Sequence, residues 1–196
     1  MRKKIILASF CVLLIGTLML ACATGSKPTK ANFKAPAVTL NAVDVAHYWG
    51  WWYFSNKVAP TKGKAGNYGA PLDLAFVFDV HNPNNFPVMM DGFRFTIAFE
   101  EFDLNTVSSN ETQWIPAGKT NQVRVHAMFD GRQSLLSLLV TGGFKLKAKG
   151  LSVWDQLEKW WVGAPALTFP INVKEGSAVF KAGEQVSVVT FGQTYP

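Results

Sequence analysis

Between Leu72 and Phe99 the chain carries two runs of alternating apolar residues that are out of phase with one another. Leu72, Leu74, Phe76, Phe78 and Val80 occupy even positions, separated by Asp73, Ala75, Val77 and Asp79. A period of two is the mark of a half-buried strand. Val88 and Met90 keep the even phase, whereas Phe93, Phe95, Ile97 and Phe99 are odd. A strand cannot move its apolar side chains to the other phase without an extra residue, so Asp91-Gly92 is expected to be a β-bulge. The connection between the runs, DVHNPNNFPVMM (79–90), holds Pro83 and Pro87. Neither proline can donate to a ladder, so both must lie outside a central strand. Asn82 and Asn84 are suited to cap a turn through side-chain bonds to the backbone, and Phe86 is placed to plug the end of a core. A connection this stiff can pass the chain to an opposing sheet, as a sandwich requires.

Further strands are expected around 102–107, 111–115 and 121–129, the last two joined by a turn at Pro116-Ala117-Gly118-Lys119. Upstream, Val38, Leu40, Val43 and Val45 mark another strand, followed by the aromatic cluster HYWGWWYF (47–54). Trp49, Trp51 and Trp52 there are either core or a ligand platform, with core favoured. A Gly/Lys-rich loop is read over 57–69.

Together these elements resemble the type 2 late embryogenesis abundant family, whose module is also called the WHy domain. The resemblance rests on residues 76–79, Asn82-Pro83-Asn84, Pro87, Gly92, Phe93, Phe95, Ile115-Pro116, Gly118 and 123–125, within about residues 72–129. It implies an immunoglobulin- or fibronectin-like antiparallel β-sandwich without catalytic apparatus, associated with desiccation and stress. It also implies that bacterial versions are often secreted or lipid-anchored. Residues 130–163 depart from the pattern and read as a small helical insert.

The first residues, MRKKIILASFCVLLIGTLMLAC, place Arg2, Lys3 and Lys4 before an apolar stretch, the pattern of a secretory signal peptide. Leu18-Met19-Leu20-Ala21-Cys22 looks like the lipobox of bacterial lipoproteins, in which the chain is cut before Cys22 and the cysteine takes acyl chains such as palmitate. The expected organisation is a signal peptide over 1–21, a flexible tether over 22–36 and one domain over 37–196. The location implied is the bacterial envelope. With Ala23 after the cysteine, it is the periplasmic side of the outer membrane where there are two membranes. Cys11 leaves with the signal and Cys22 is acylated, so no structural disulfide is available. The net charge of +6 falls by three when Arg2, Lys3 and Lys4 are removed, too mild a balance to suggest nucleic acid.

Two stretches beyond residue 130 are candidate interaction faces. Ser152 followed by Asp155 suggests a helix start. From Val153, a 100° step gathers Trp160, Val153, Leu157, Trp161 and Trp154 on one side. Trp154, Trp160 and Trp161 then either cap the open end of the sandwich or face a membrane or partner. At least two of them, Trp160 above all, are expected in the core. A shorter apolar turn at 135–140 reads as a first helix of the same insert. In FKLKAKG (144–150), Lys145, Lys147 and Lys149 alternate with Phe144, Leu146 and Ala148. The favoured reading is an edge strand protected by lysines, and the other a docking ladder for lipid headgroups or another polyanion.

For catalysis the sequence offers little. It has no Gly-x-Ser-x-Gly elbow, phosphate-binding glycine loop or His-Glu-x-x-His. His81 with Asp79, and His126 with Arg124, sit on outer strand faces, where a metal or general-base site is the minor reading. The expectation is therefore a non-catalytic, lipid-anchored protein of the envelope, with no cofactor or metal, serving stress protection or binding. The alternative is a structural or docking subunit of an envelope complex, its partner an envelope protein.

Overall fold

A computed structural model describes residues 26–51 and 69–196. Two antiparallel sheets face each other. In the first, β1 (Ala37–Tyr48), β2 (Leu72–His81) and β6 (Thr120–Phe129) lie in the order β1-β2-β6. In the second, β4 (Phe102–Ser109), β3 (Val88–Phe99), β7 (Ile171–Ala182) and β8 (Gln185–Tyr195) lie in the order β4-β3-β7-β8, and β5 (Gln113–Ile115) pairs with the start of β3. The expected β-sandwich with a small helical insert is what forms.

The alternation on β2 explains the first sheet. Leu72, Leu74, Phe76, Phe78 and Val80 are all fully buried between the sheets. They meet Phe93 and Phe95 of β3 across the core, with Phe76–Phe95, Phe78–Phe93 and Phe78–Phe95 ring centroids 5.2, 4.9 and 5.1 Å apart in edge-to-face contacts. The phase change on β3 falls where expected. The β3–β7 register slips between Met90 and Phe93, so Asp91 and Gly92 together oppose the single residue Val179, and this one extra residue returns Phe93 to the core. On the outer face of β2, Ala75 and Val77 are also buried. An Arg124–Asp44 ion pair of 2.9 Å joins the strands on either side, β6 and β1, where Arg124 pairs with Val77 and Asp44 with Ala75. Its side chains lie over those short residues.

After β6 the chain turns helical. Asp130 caps α1 (Gly131–Ser137) by accepting from the Arg132 and Gln133 backbone N–H groups. A wider π turn (Leu138–Gly142) leads into α2 (Gly143–Ala148), and α3 (Val153–Gly163) follows. Ser152 accepts from the Asp155 backbone N–H at 3.4 Å, the helix start read from the sequence. The lysine-faced strand expected over 144–150 is not formed, since α2 takes most of it. Leu146 alone among Phe144, Leu146 and Ala148 is buried, because it lies four residues after Gly142 and eight after Leu138, on the face turned to the domain. Leu, Lys and Ala are good helix formers.

Candidate functional site

The two ends of the sandwich carry the candidate sites. One holds the start of β1, the end of β2, the start of β3 and the β5–β6 turn, all in register around His81 and Thr120. Asn82 is fully buried there. Its side-chain NH2 donates to the carbonyls of Phe86, Ile115 and Pro116 at 2.9, 3.0 and 3.1 Å. Its Oδ1 accepts from the backbone N–H and the side-chain amide of Asn84 at 3.0 and 2.9 Å. One amide therefore ties the 82–87 corner to the β5–β6 turn, and Phe86, 4% exposed, closes the core beneath it. Asn82 and Asn84 are the capping residues anticipated from the sequence.

Asn84 reaches outward as well. Its Oδ1 accepts from the Lys34 backbone N–H and its Nδ2 donates to the Lys34 carbonyl, both at 2.8 Å, so the side chain pairs with the arm as a peptide unit would. Ser26 Oγ donates to Asn85 Oδ1 at 2.6 Å, and the Phe33 and Phe86 rings stand 6.3 Å apart. The arm from Ser26 to β1 is thus a strap held on the domain; residues 22–25 of the flexible tether expected over 22–36 lie outside the described residues. The partners of the arm, Asn84 to Phe86, lie some fifty residues away in the chain, beyond the reach of any local pattern. Cys22 and the signal segment fall outside the described residues, as do Trp52 and most of the 57–69 loop. Among the described residues no helix is long and apolar enough to cross a membrane.

At the other end, α3 closes the core. Trp160 and Trp161 are fully buried and Trp154 is 42% exposed. Trp160 packs on Phe99, Phe102 and Phe169 with centroids 5.5, 5.8 and 6.4 Å away. The Trp161 indole N–H donates to the Ala70 carbonyl at 2.8 Å, and Tyr48 OH donates to the Trp161 carbonyl at 2.7 Å. Burial removes Trp160 and Trp161 from any interaction face. The wheel places all three on one arc, but only the inner part of that arc reaches the sheets. Trp154 meets Trp51 of the aromatic cluster at 6.3 Å, Trp51 being half-buried and Trp49 39% exposed.

Lys145, Lys147 and Lys149 all lie on or just after α2, exposed. Lys149 pairs with Glu101 at 2.5 Å. That hydrogen bond, opposed by desolvation and helped by the charges of Lys149, Lys145 and Lys174, holds the Glu101 carboxyl below its ordinary 4.5. The neighbouring apolar residues Leu136, Leu139, Val140 and Phe144 are all exposed, a surface that no local pattern announces.

The histidine candidates are not brought together. His81 pairs with Thr120 and His126 with Ala75 in the same ladder, six positions and roughly 20 Å apart. His126 Nδ1 lies 2.9 Å from Asp73 Oδ2, and His81 Nδ1 lies 3.1 Å from Thr120 Oγ1. Among the described residues no three His, Cys, Asp or Glu side chains converge to hold a metal ion.

No protein-family model matches the chain, and no curated protein matches it. Among solved structures, a protein from Archaeoglobus fulgidus is similar at 14% identity and a TM-score of 0.41, over 80% of this chain and 94% of that one.

Proposed function

We propose that the protein is a lipid-anchored, non-catalytic module of the bacterial cell envelope that protects or binds at a membrane surface. The observation that carries this reading is the strap. Ser26 is fixed to Asn85, and only residues 23–25 separate it from Cys22, the candidate acylation site. Four Cα-to-Cα steps span at most roughly 14 Å. An acylated Cys22 would therefore hold the Asn82 end of the sandwich against its bilayer. Strands of 10 to 12 residues would then carry the helical end roughly 35 Å outward. The positive n-region, apolar stretch and small residue before Cys22 support acylation, and the Asn-Pro-Asn resemblance supports a stress-protective class.

Metabolic labelling with a fatty-acid probe tests the anchor. The wild type is expected to take the label and Cys22→Ser to lose it, with retention of the unprocessed precursor. Equal labelling of both sinks the reading. Survival of the producing cells after drying, compared between wild type and a deletion strain, tests the protective role separately.

A further inference from the structure

Residues 131–148 form one continuous helical rod made of α1, the π turn and α2. Its inner line is Ser134, Leu138, Gly142 and Leu146, all buried and spaced by four. Gly142 marks the closest approach, where an added Cβ would stand 2.8 Å from the Phe102 ring. Leu136, Val140 and Phe144 repeat the same spacing two residues on, which puts them on the opposite side, and they are 55%, 81% and 92% exposed. In a plain α-helix each step of four overshoots a full turn by roughly 40°. The wider π turn over Leu138–Gly142 offsets part of that overshoot. The outer apolar line is therefore separate from the core stripe, and Leu139 and Leu151 extend it, both exposed.

Cations accompany it. Arg132, Lys145, Lys147 and Lys149 lie in residues 131–154, and no Asp or Glu does. Lys149 pairs with Glu101, whereas Lys145 and Lys147, flanking the Phe144 turn, hold no ion pair among the described residues. A contiguous apolar line with basic neighbours on a surface helix has the chemistry of an interfacial segment.

We propose that this outer face of α1 and α2 is a docking surface for an anionic lipid bilayer. Val140 and Phe144 enter the boundary between headgroups and acyl chains, and Lys145 and Lys147 meet lipid phosphates. Charge selects this occupant. A second copy of the chain would set the same cations against each other, and a neutral apolar partner would leave them unmatched. The inference goes beyond the anchored reading: this face lies at the end remote from the strap, so it meets a second bilayer, opposite the one that would hold Cys22, and it needs no acyl anchor.

The test uses the mature chain, residues 22–196, carrying Cys22→Ser so that no acyl chain contributes. It is sedimented with vesicles of phosphatidylcholine alone or mixed with phosphatidylglycerol, at low and high salt. Binding to the mixed vesicles is expected, weakening with salt, with little binding to phosphatidylcholine. Val140→Asp with Phe144→Asp is expected to abolish it. Lys145→Gln with Lys147→Gln is expected to weaken it by about 25-fold, about fivefold per lysine. Both double variants are expected to melt with the wild type, because the changed side chains are exposed. No binding to mixed vesicles, equal binding to both vesicle types, or binding indifferent to both double variants overturns the proposal. So does self-association or capture of an envelope protein that depends on Val140 and Phe144 without vesicle binding. Failure of Cys22 to label leaves these outcomes untouched, so the two readings fail separately.

Discussion

At the end of the sandwich nearest the strap, three backbone carbonyls converge on the buried amide of Asn82. At the opposite end, three phenylalanine rings converge on Trp160, whose indole N–H has no hydrogen-bond partner among the described residues. Both devices close an open end of the same core, by different physics. The polar closure is directional: each bond fixes the corner, the β5–β6 turn or the strap in one place. The aromatic closure is governed by area and shape, so it tolerates an outer surface of almost any character. That freedom is what leaves an exposed apolar line beside the aromatic plug.

The comparison can be broken from either side. Trp160→Ala is expected to cost about 3 to 5 kcal/mol, the range for emptying a buried aromatic site, read from denaturant or thermal unfolding. Asn82→Ala is expected to cost about 2 to 3 kcal/mol, because three carbonyls lose a donor in a site that excludes water. Should Asn82→Ala prove the more damaging of the two, the polar end would be the principal closure and the ranking above is wrong. Asn82→Asp sharpens the point, since it keeps the shape but removes both donors, and it should be no milder than alanine.

Smaller effects separate surface from core within each end. Phe33→Ala should release the strap, raising amide exchange across residues 26–36 while lowering global stability by only about 1 kcal/mol. Trp154→Ala should change stability by less than about 1 kcal/mol, against the large loss at Trp160 on the same helix. The smallest effect is expected at Glu101. A carboxyl held below its ordinary 4.5 by Lys149 adds stability above that value and loses it as pH falls through the lowered folded value. Glu101→Gln should therefore lower the melting temperature slightly at neutral pH and not at all in acid. High salt should shrink the neutral-pH difference, as for other exposed pairs.

Much of the strand layer was readable because its signals are local. A period of two, a phase slip at Asp91-Gly92 and two prolines that cannot donate are properties of neighbouring residues. The same holds for Ser152 as the cap of α3. Residues 144–150 are ambiguous for a related reason, since a seven-residue alternation of lysine with apolar residues also fits a helix. Only the line through Leu138, Gly142 and Leu146 shows which period applies. The outer line of Leu136, Val140 and Phe144 was not anticipated, because an apolar residue on a helix is assigned to the core until its exposure is known.

What the sequence by itself determined about this protein is where the chain must leave a strand, where it must slip phase and which residues can cap the turn, since backbone sterics and side-chain reach settle those over a few residues. The tertiary structure decided which strands share a sheet. The Pro116–Lys119 turn does not fold β5 back on β6: β5 pairs with β3 and β6 with β2, because the corner at Asn82 has already divided the chain between two sheets. It also decided that the strap is bound, that Trp160 and Trp161 face inward while Trp154 does not, and that one lysine-rich segment is a helix. Each of these depends on contacts fifty or more residues apart in the chain or on which side of an element meets the core, and no local pattern carries that information.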